Sequence, residues 1–347
     1  MTKARILQAL SALFVLGFLA GLPAVEGQQS APTSSQTQPG EDQSQPADTV
    51  KVDVNVVQLF FNVNDKKGVP VRNLAKDEFE VLEDGKPQNI KYFAAESDLP
   101  LAVGILIDSS ASQARVLRME QQVGGEFLNE ILRDKDVAFV LGFDVRVDLL
   151  QDFTNSIPAL AAALNNARIN TDGGGTGIAG LGGGATPAGT LRGTLLYDAV
   201  YLASNDELSH QAGRKAMILL TDGEDQGSQL SVKNAIEAAQ KSNSIVYVLL
   251  CADRGFYGFG EYSGEAKMKQ FTRETGGRVI VVGNRLNKLR DAFNQIAKEL
   301  RSQYSIGYTP TNTALDGAFR NIEIRAKAKD KDYKIQARTG YYAVSKH

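Results

Sequence analysis

Leu101–Ser112, LAVGILIDSSAS, is the stretch on which the fold turns: an unbroken apolar run that ends abruptly in Asp108-Ser109-Ser110-Ala111-Ser112. A run of this length bounded by polar residues reads as a strand buried on both faces. Its polar end then emerges at the carboxyl edge of a sheet, where open α/β proteins bind their ligands. Asp108, Ser110 and Ser112 occupy alternate positions, so three oxygen side chains at that edge can face one point. A plainer reading also stands: Ser110 or Ser112 caps the following helix by accepting from its free N–H groups.

Downstream, helical and strand patterns alternate, the sign of a mostly parallel sheet covered on both faces. The pattern predicts helices at about 113–132, 156–166, Leu195–Ser204, Gln229–Ser242, 264–275 and Leu286–Arg301. Between them it predicts strands at Val137–Phe143, Ala216–Leu220, Ile245–Leu250 and Arg278–Val282, and a short partner strand Val147–Leu150 joined through a turn at Asp144. Thr171–Gly193 is a glycine-dense run expected to be a long flexible loop. The whole fits an α/β, doubly wound, Rossmann-like domain over residues 98–302.

The flanks are written in strand chemistry. Val50, Val52, Val54 and Val56 alternate with polar residues, and Val57, Leu59, Phe61 and Val63 continue in the opposite phase, which suggests a bulge or a change of face. Phe79–Leu82, Asp84-Gly85 and Ile90–Phe93 read as a hairpin or strand pair. At the other end Tyr304–Tyr308, Arg320–Ala328 and Tyr333–Ala337 are strand-like, and a short hairpin alone is marginal. Residues 50–97 and 303–344 are therefore expected to pack together as one smaller β module, the alternative being two separate flaps.

Lys3 and Arg5, the apolar run Ile6–Leu22 and the small-residue pattern ending at Gly27 read as a secretory signal, residues 1–27, cleaved near Gly27 rather than kept as an anchor. Residues 28–49, rich in Gln, Ser, Thr and Pro, read as a disordered linker. A secreted, periplasmic or cell-envelope location follows, with no stable membrane span after cleavage. A net charge of −2 with mixed signs gives no footprint for nucleic acid or an anionic membrane. Cys251 is the single cysteine, so no internal disulfide forms, and it reads as a small buried hydrophobe.

Two further segments belong with Asp108. Met217–Gly223 is a second buried strand that ends in Asp222, and Thr194 stands where the glycine run gives way to a helix. In this order the three segments resemble the limbs of the metal-ion-dependent adhesion site of von Willebrand factor type A domains. The wider chain is similar to the exported von Willebrand factor A-related proteins of Acidobacteria, through Asp77–Gly85, Tyr304–Pro310 and Arg338-Thr339-Gly340-Tyr341-Tyr342. The resemblance implies a metal held by Asp108, Ser110, Ser112, Thr194 and Asp222, the hydroxyls binding directly, the aspartates largely through water, and a carboxylate of a partner protein completing the shell. Thr190 or Thr186 can take the place of Thr194.

An all-oxygen donor set without His or Cys suits Mg²⁺, or Mn²⁺ or Ca²⁺, rather than zinc. The expectation is a non-enzymatic, adhesion-type binding protein. The alternatives are a metal-independent envelope assembly or scaffolding factor and a metal-assisted hydrolase.

Other signals carry less. Gly175–Gly180 spells a dinucleotide fingerprint without the preceding strand, and Gly184–Thr190 lacks the lysine of a phosphate loop. Glu224 and Asp225 suit a solvated loop before a helix, Asp198 a cap, and Asp144 and Asp148 a turn. His210 and His347 sit in no catalytic motif.

Overall fold

In the computed structural model, residues 56–95, 98–169, 193–251, 263–327 and 332–345 are described. The signal segment, the linker, the valine alternation before residue 56 and the glycine run up to residue 192, with Thr186 and Thr190, lie outside the described residues.

The central sheet has six strands in the order β10 (Val279–Val281), β9 (Ser244–Leu250), β8 (Arg214–Thr221), β5 (Leu101–Asp108), β6 (Val137–Phe143), β7 (Val147–Thr154). All neighbours are parallel except β7, which returns antiparallel to β6. Leu101, Val103, Ile105 and Ile107 of β5 pack into a core with α1 (Leu117–Ile131), α2 (Ile157–Asn166) and α6 (Leu286–Arg301). Ala102 and Leu106 face the other core, against α3 (Leu196–Leu202), α4 (Val232–Lys241) and α5 (Gly264–Thr275). Covering both faces removes every solvent-facing position from β5, which is why its sequence does not alternate.

β7 runs four residues further than the pattern indicates. It is an edge strand whose pairing with β6 shifts register twice, and its polar Gln151 and Asp152 hide a strand period that solvent permits at an edge.

Strands from before and after this sheet pair with one another. One four-stranded sheet has the order β13 (Lys334–Ala337), β1 (Val57–Asn64), β11 (Tyr304–Tyr308), β4 (Ile90–Ala94), and the other β14 (Gly340–Tyr342), β12 (Phe319–Ala326), β2 (Phe79–Glu83), β3 (Lys86–Gln88). Their facing sides share a core built on Phe61, Phe79 and Tyr304, with ring centroids 5.2–5.5 Å apart. The hairpin at Asp84-Gly85 closes on Lys86–Gln88 and not on Ile90–Phe93. Ile90–Ala94 instead crosses to the other sheet and pairs with β11, a partner that local pattern cannot reveal. β14 was not anticipated; it pairs through Gly340–Tyr342 with Phe319–Asn321.

The segments 77–85, 304–310 and 338–342 meet in this module. Tyr308 and Tyr341 both donate their hydroxyls to Glu83 Oε2, at 2.7 and 3.0 Å, and Arg338 lies over the Tyr341 ring at 5.8 Å. A Cβ at Gly340 would stand 2.3 Å from both the Arg320 carbonyl oxygen and the Phe319 ring, so only glycine fits. Among the described residues, no helix is long and apolar enough to cross a membrane.

Candidate functional site

β5 and β8 are in register through Ile107 and Leu220, so Asp108 and Thr221 leave the sheet side by side. Thr221 Oγ1 donates to Asp108 Oδ2 at 2.7 Å, and the Ser110 N–H donates to Asp108 Oδ1 at 2.9 Å. The second bond folds the chain back over the strand end, as an aspartate does when it accepts from the backbone two residues on. Ser110 Oγ and Ser112 Oγ are 3.0 Å apart, and Ser112 Oγ donates to Asp222 Oδ2 at 2.5 Å. Four of the five expected residues thus form one continuous hydrogen-bonded chain. The capping alternative fails, because the Ser110 side chain makes no cap hydrogen bond and α1 begins only at Leu117.

Asp222 is held from two more directions, by Gln113 Nε2 on Oδ2 and by the Glu224 N–H on Oδ1, each at 3.0 Å. The turn beyond it needs glycine: Gly223 has φ +82°, and a Cβ there would come within 2.8 Å of Met268.

Thr194 reaches the same sheet edge by its backbone. It exchanges two hydrogen bonds with Gln226, at 3.2 and 3.0 Å, which ties it to the loop that follows Asp222. Its neighbour Leu195 donates to the Asp144 carbonyl, and Asp144 in turn accepts from Ser109 Oγ at 3.2 Å. Among the described residues no hydrogen bond joins the Thr194 hydroxyl to the other four.

Glu224, Asp225 and Asp198 frame the site. Glu224 Oε1 accepts from the N–H groups of Ser263 and Gly264, both at 2.6 Å, at the start of α5. Asp225 accepts from Tyr197 at the start of α3, and Asp198 from Gln229 and Leu230. Glu224 and Asp225 satisfy free N–H groups and the helix dipole together, whereas Asp198 ties down the loop before α4.

The electrostatics are those of buried like charges. Asp108 is fully buried; desolvation first, and then the negative charge of Asp222, push its pKa up to about 7. A third carboxylate, Glu120 of α1, is also fully buried, and neither of its oxygens has a hydrogen-bond partner. Burial pushes Glu120 up to about 8, with smaller contributions from Asp108 and Asp222. The Cys251 thiol faces Glu120 too loosely to satisfy it, and burial raises the thiol pKa well above its ordinary value. Cys251 is therefore buried as expected but beside an acid rather than among hydrocarbon alone.

Sequence reading missed Thr221, Gln113 and Glu120, and it gave Asp144 its turn, closed by the Arg146 N–H on Oδ1, but not its contact with Ser109. Thr221 had a signal, a hydroxyl at the last position of a buried strand. Glu120 had one too: it falls on the buried stripe Leu117, Glu120, Val123, Phe127, where an acid is out of place. Among the described residues no group of three or more His, Cys, Asp or Glu is arranged to hold a metal ion. The donor set at the strand ends is instead two carboxylates with hydroxyls, a hard-oxygen set that fits Mg²⁺ chemistry.

An open, doubly wound sheet with hydroxyls and carboxylates gathered at the carboxyl ends of adjacent strands defines a class of α/β domain whose site is made by strand-end loops. No protein-family model matches the chain, and no curated protein matches it by sequence. Among solved structures it is similar to a von Willebrand factor type A protein from Catenulispora acidiphila, at 11% identity over 84% of this chain and 74% of that one, with a TM-score of 0.45. It is similar also to the conserved hypothetical protein BatB of Bacteroides thetaiotaomicron, at 18% identity over 58% of this chain and all of that one, TM-score 0.40. A third is proximal thread matrix protein 1 from the mussel byssus, at 12% identity and TM-score 0.45, matched over 63% of this chain; the chain spans about half of that protein's length.

Proposed function

We propose that this is an exported binding protein, not an enzyme, that captures an acidic group of a partner protein through a divalent cation held at Asp108, Ser110, Ser112, Thr194 and Asp222. The observation that carries the reading is the hydrogen-bonded run from Asp108 through Ser110 and Ser112 to Asp222, in which buried acids converge with neutral hydroxyls. A hard divalent cation there offsets the repulsion between two buried carboxylates. Neutral hydroxyl ligands leave the ion much of its charge, which favours an anionic oxygen from a partner. The export reading rests on the charged, apolar and small-residue order of residues 1–27.

Titration of the full chain with Mg²⁺ or Mn²⁺ tests this directly. Binding is expected at one ion per chain and is lost in Asp222→Ala and in Ser112→Ala with the circular dichroism spectrum unchanged. Equal affinity in wild type and both variants would sink the proposal. Thr194→Val tests the third limb, since unchanged affinity there passes the role to Thr186 or Thr190.

A further inference from the structure

The opposite end of the sheet, where β5 and β8 begin, carries a second polar cluster that the strand-end site does not use. Leu101 and Arg214 are register partners there, about 23 Å from Asp108 at roughly 3.3 Å per residue. Arg214 is only 3% exposed. Its Nε and Nη2 both donate to the Leu99 carbonyl, at 3.2 and 3.1 Å, and its Nη1 donates to the Leu300 carbonyl at the end of α6. A guanidinium carries five N–H donors, so two remain. No ion pair with a carboxylate neutralises Arg214 among the described residues. Desolvation and the neighbouring Arg133 lower its pKa to about 10, which leaves it charged.

Beside this buried cation is a cavity of about 50 Å³, lined by Arg133, Asp136, Arg214 and Arg301 with the aliphatic walls of Leu101 and Ile131. That volume holds several waters or one small ion. The single lining acid, Asp136, is already spoken for. Its Oδ1 accepts from the Leu101 N–H and Arg133 Nη2, and its Oδ2 from Arg133 Nε and N–H, at 2.7–3.1 Å. Arg301, whose side chain is 48% exposed, lies 3.7 Å from the Glu130 carboxylate and donates its Nη2 to the Glu130 carbonyl. The cavity therefore holds one buried guanidinium with no carboxylate bonded to it, its charge offset in part by the nearby Asp136 and Asp98, and at its rim a second one anchored to Glu130 with N–H groups to spare.

We propose that this cavity binds a small tetrahedral oxyanion, inorganic phosphate or sulfate, on the two remaining N–H groups of Arg214, with Arg301 lining its rim as a second cation. A charge-assisted, paired arrangement of this kind is what guanidinium groups offer phosphate. Arg214 also holds two carbonyls, so the test is made at Arg301. Equilibrium dialysis of the full-length chain against radiolabelled inorganic phosphate, at constant ionic strength, is expected to give one saturable site for which unlabelled sulfate competes and chloride does not. Arg301→Gln is expected to weaken phosphate about tenfold while its melting temperature in chloride stays at the wild-type value. Ser112→Ala, at the far end of the sheet, is expected to bind phosphate as wild type does. Absence of saturable binding, equal affinity in Arg301→Gln, or failure of sulfate to compete would overturn the proposal and leave Arg214 as a clamp on two carbonyls.

Discussion

Glu120 is the residue whose protonation sets an energetic cost beneath the strand-end site. The folded chain keeps a proton on it up to about pH 8, whereas the unfolded chain has lost that proton above the ordinary carboxylate range. Between those limits the native state binds more protons than the unfolded one, so stability falls as pH rises, and above about 8 the loss is complete and constant. Glu120→Gln removes the dependence: its stability advantage over wild type is expected to grow from pH 5 to pH 8 by a few kcal/mol and then level off, as read by urea unfolding at each pH. Parallel curves for the two proteins would show that Glu120 is solvated. The same residue marks the limit of what pattern reading reaches. Asp108, Ser110, Ser112 and Asp222 were legible because a strand buried on both faces has nowhere but its end to place an oxygen. Glu120 was legible in principle, as an acid on an apolar stripe, but the stripe says only that it is buried and not which carboxylates it meets.

At the scale of elements, the site loops are braced by helix ends. Glu224 accepts two N–H groups at the start of α5, and the residue two before it is Asp222. Glu224→Ala is expected to cost about 1 kcal/mol, a fall of a few degrees in melting temperature, and to weaken cation binding by loosening the 222–226 turn. Unchanged melting and unchanged cation affinity together would contradict that brace. In the β module, Gly340→Ala forces a methyl against the Arg320 carbonyl and the Phe319 ring, and a destabilisation of about 1–3 kcal/mol is expected by chemical denaturation. The helices were readable by their period and the parallel strands by their unbroken apolar runs. β3 and β4 were not, since a hairpin signal is local while the choice between closing on the turn and crossing to β11 is made by a strand more than two hundred residues away.

Across the whole molecule, the two β sheets and the α/β layers share interior polar contacts. Arg278 pairs with Glu299 of α6 at 2.9 Å and with Gln336 of β13, whose amide also reaches the Gly276 carbonyl. Breaking a buried pair by removing one partner is costly, so Glu299→Ala is expected to destabilise the chain, by about 2–4 kcal/mol after allowance for the partial exposure of Arg278. A single unfolding transition that moves as a whole in this variant would show the layers to be coupled; a separate early transition would show them independent. The pairing of β1 with β11 also has a consequence in time. Gln58 and Ser305 bond across 247 positions, so β1 leaves the ribosome well before the strand it pairs with has been made. Until then β1 is an apolar ribbon with two open edges, the kind of segment that chaperones hold and that export in an unfolded form would tolerate. Pulsed hydrogen exchange during refolding is expected to find the amides of β5 and β8 protected first and those of β1 and β11 last, so that the longest-range pairing in the module is the step that closes it.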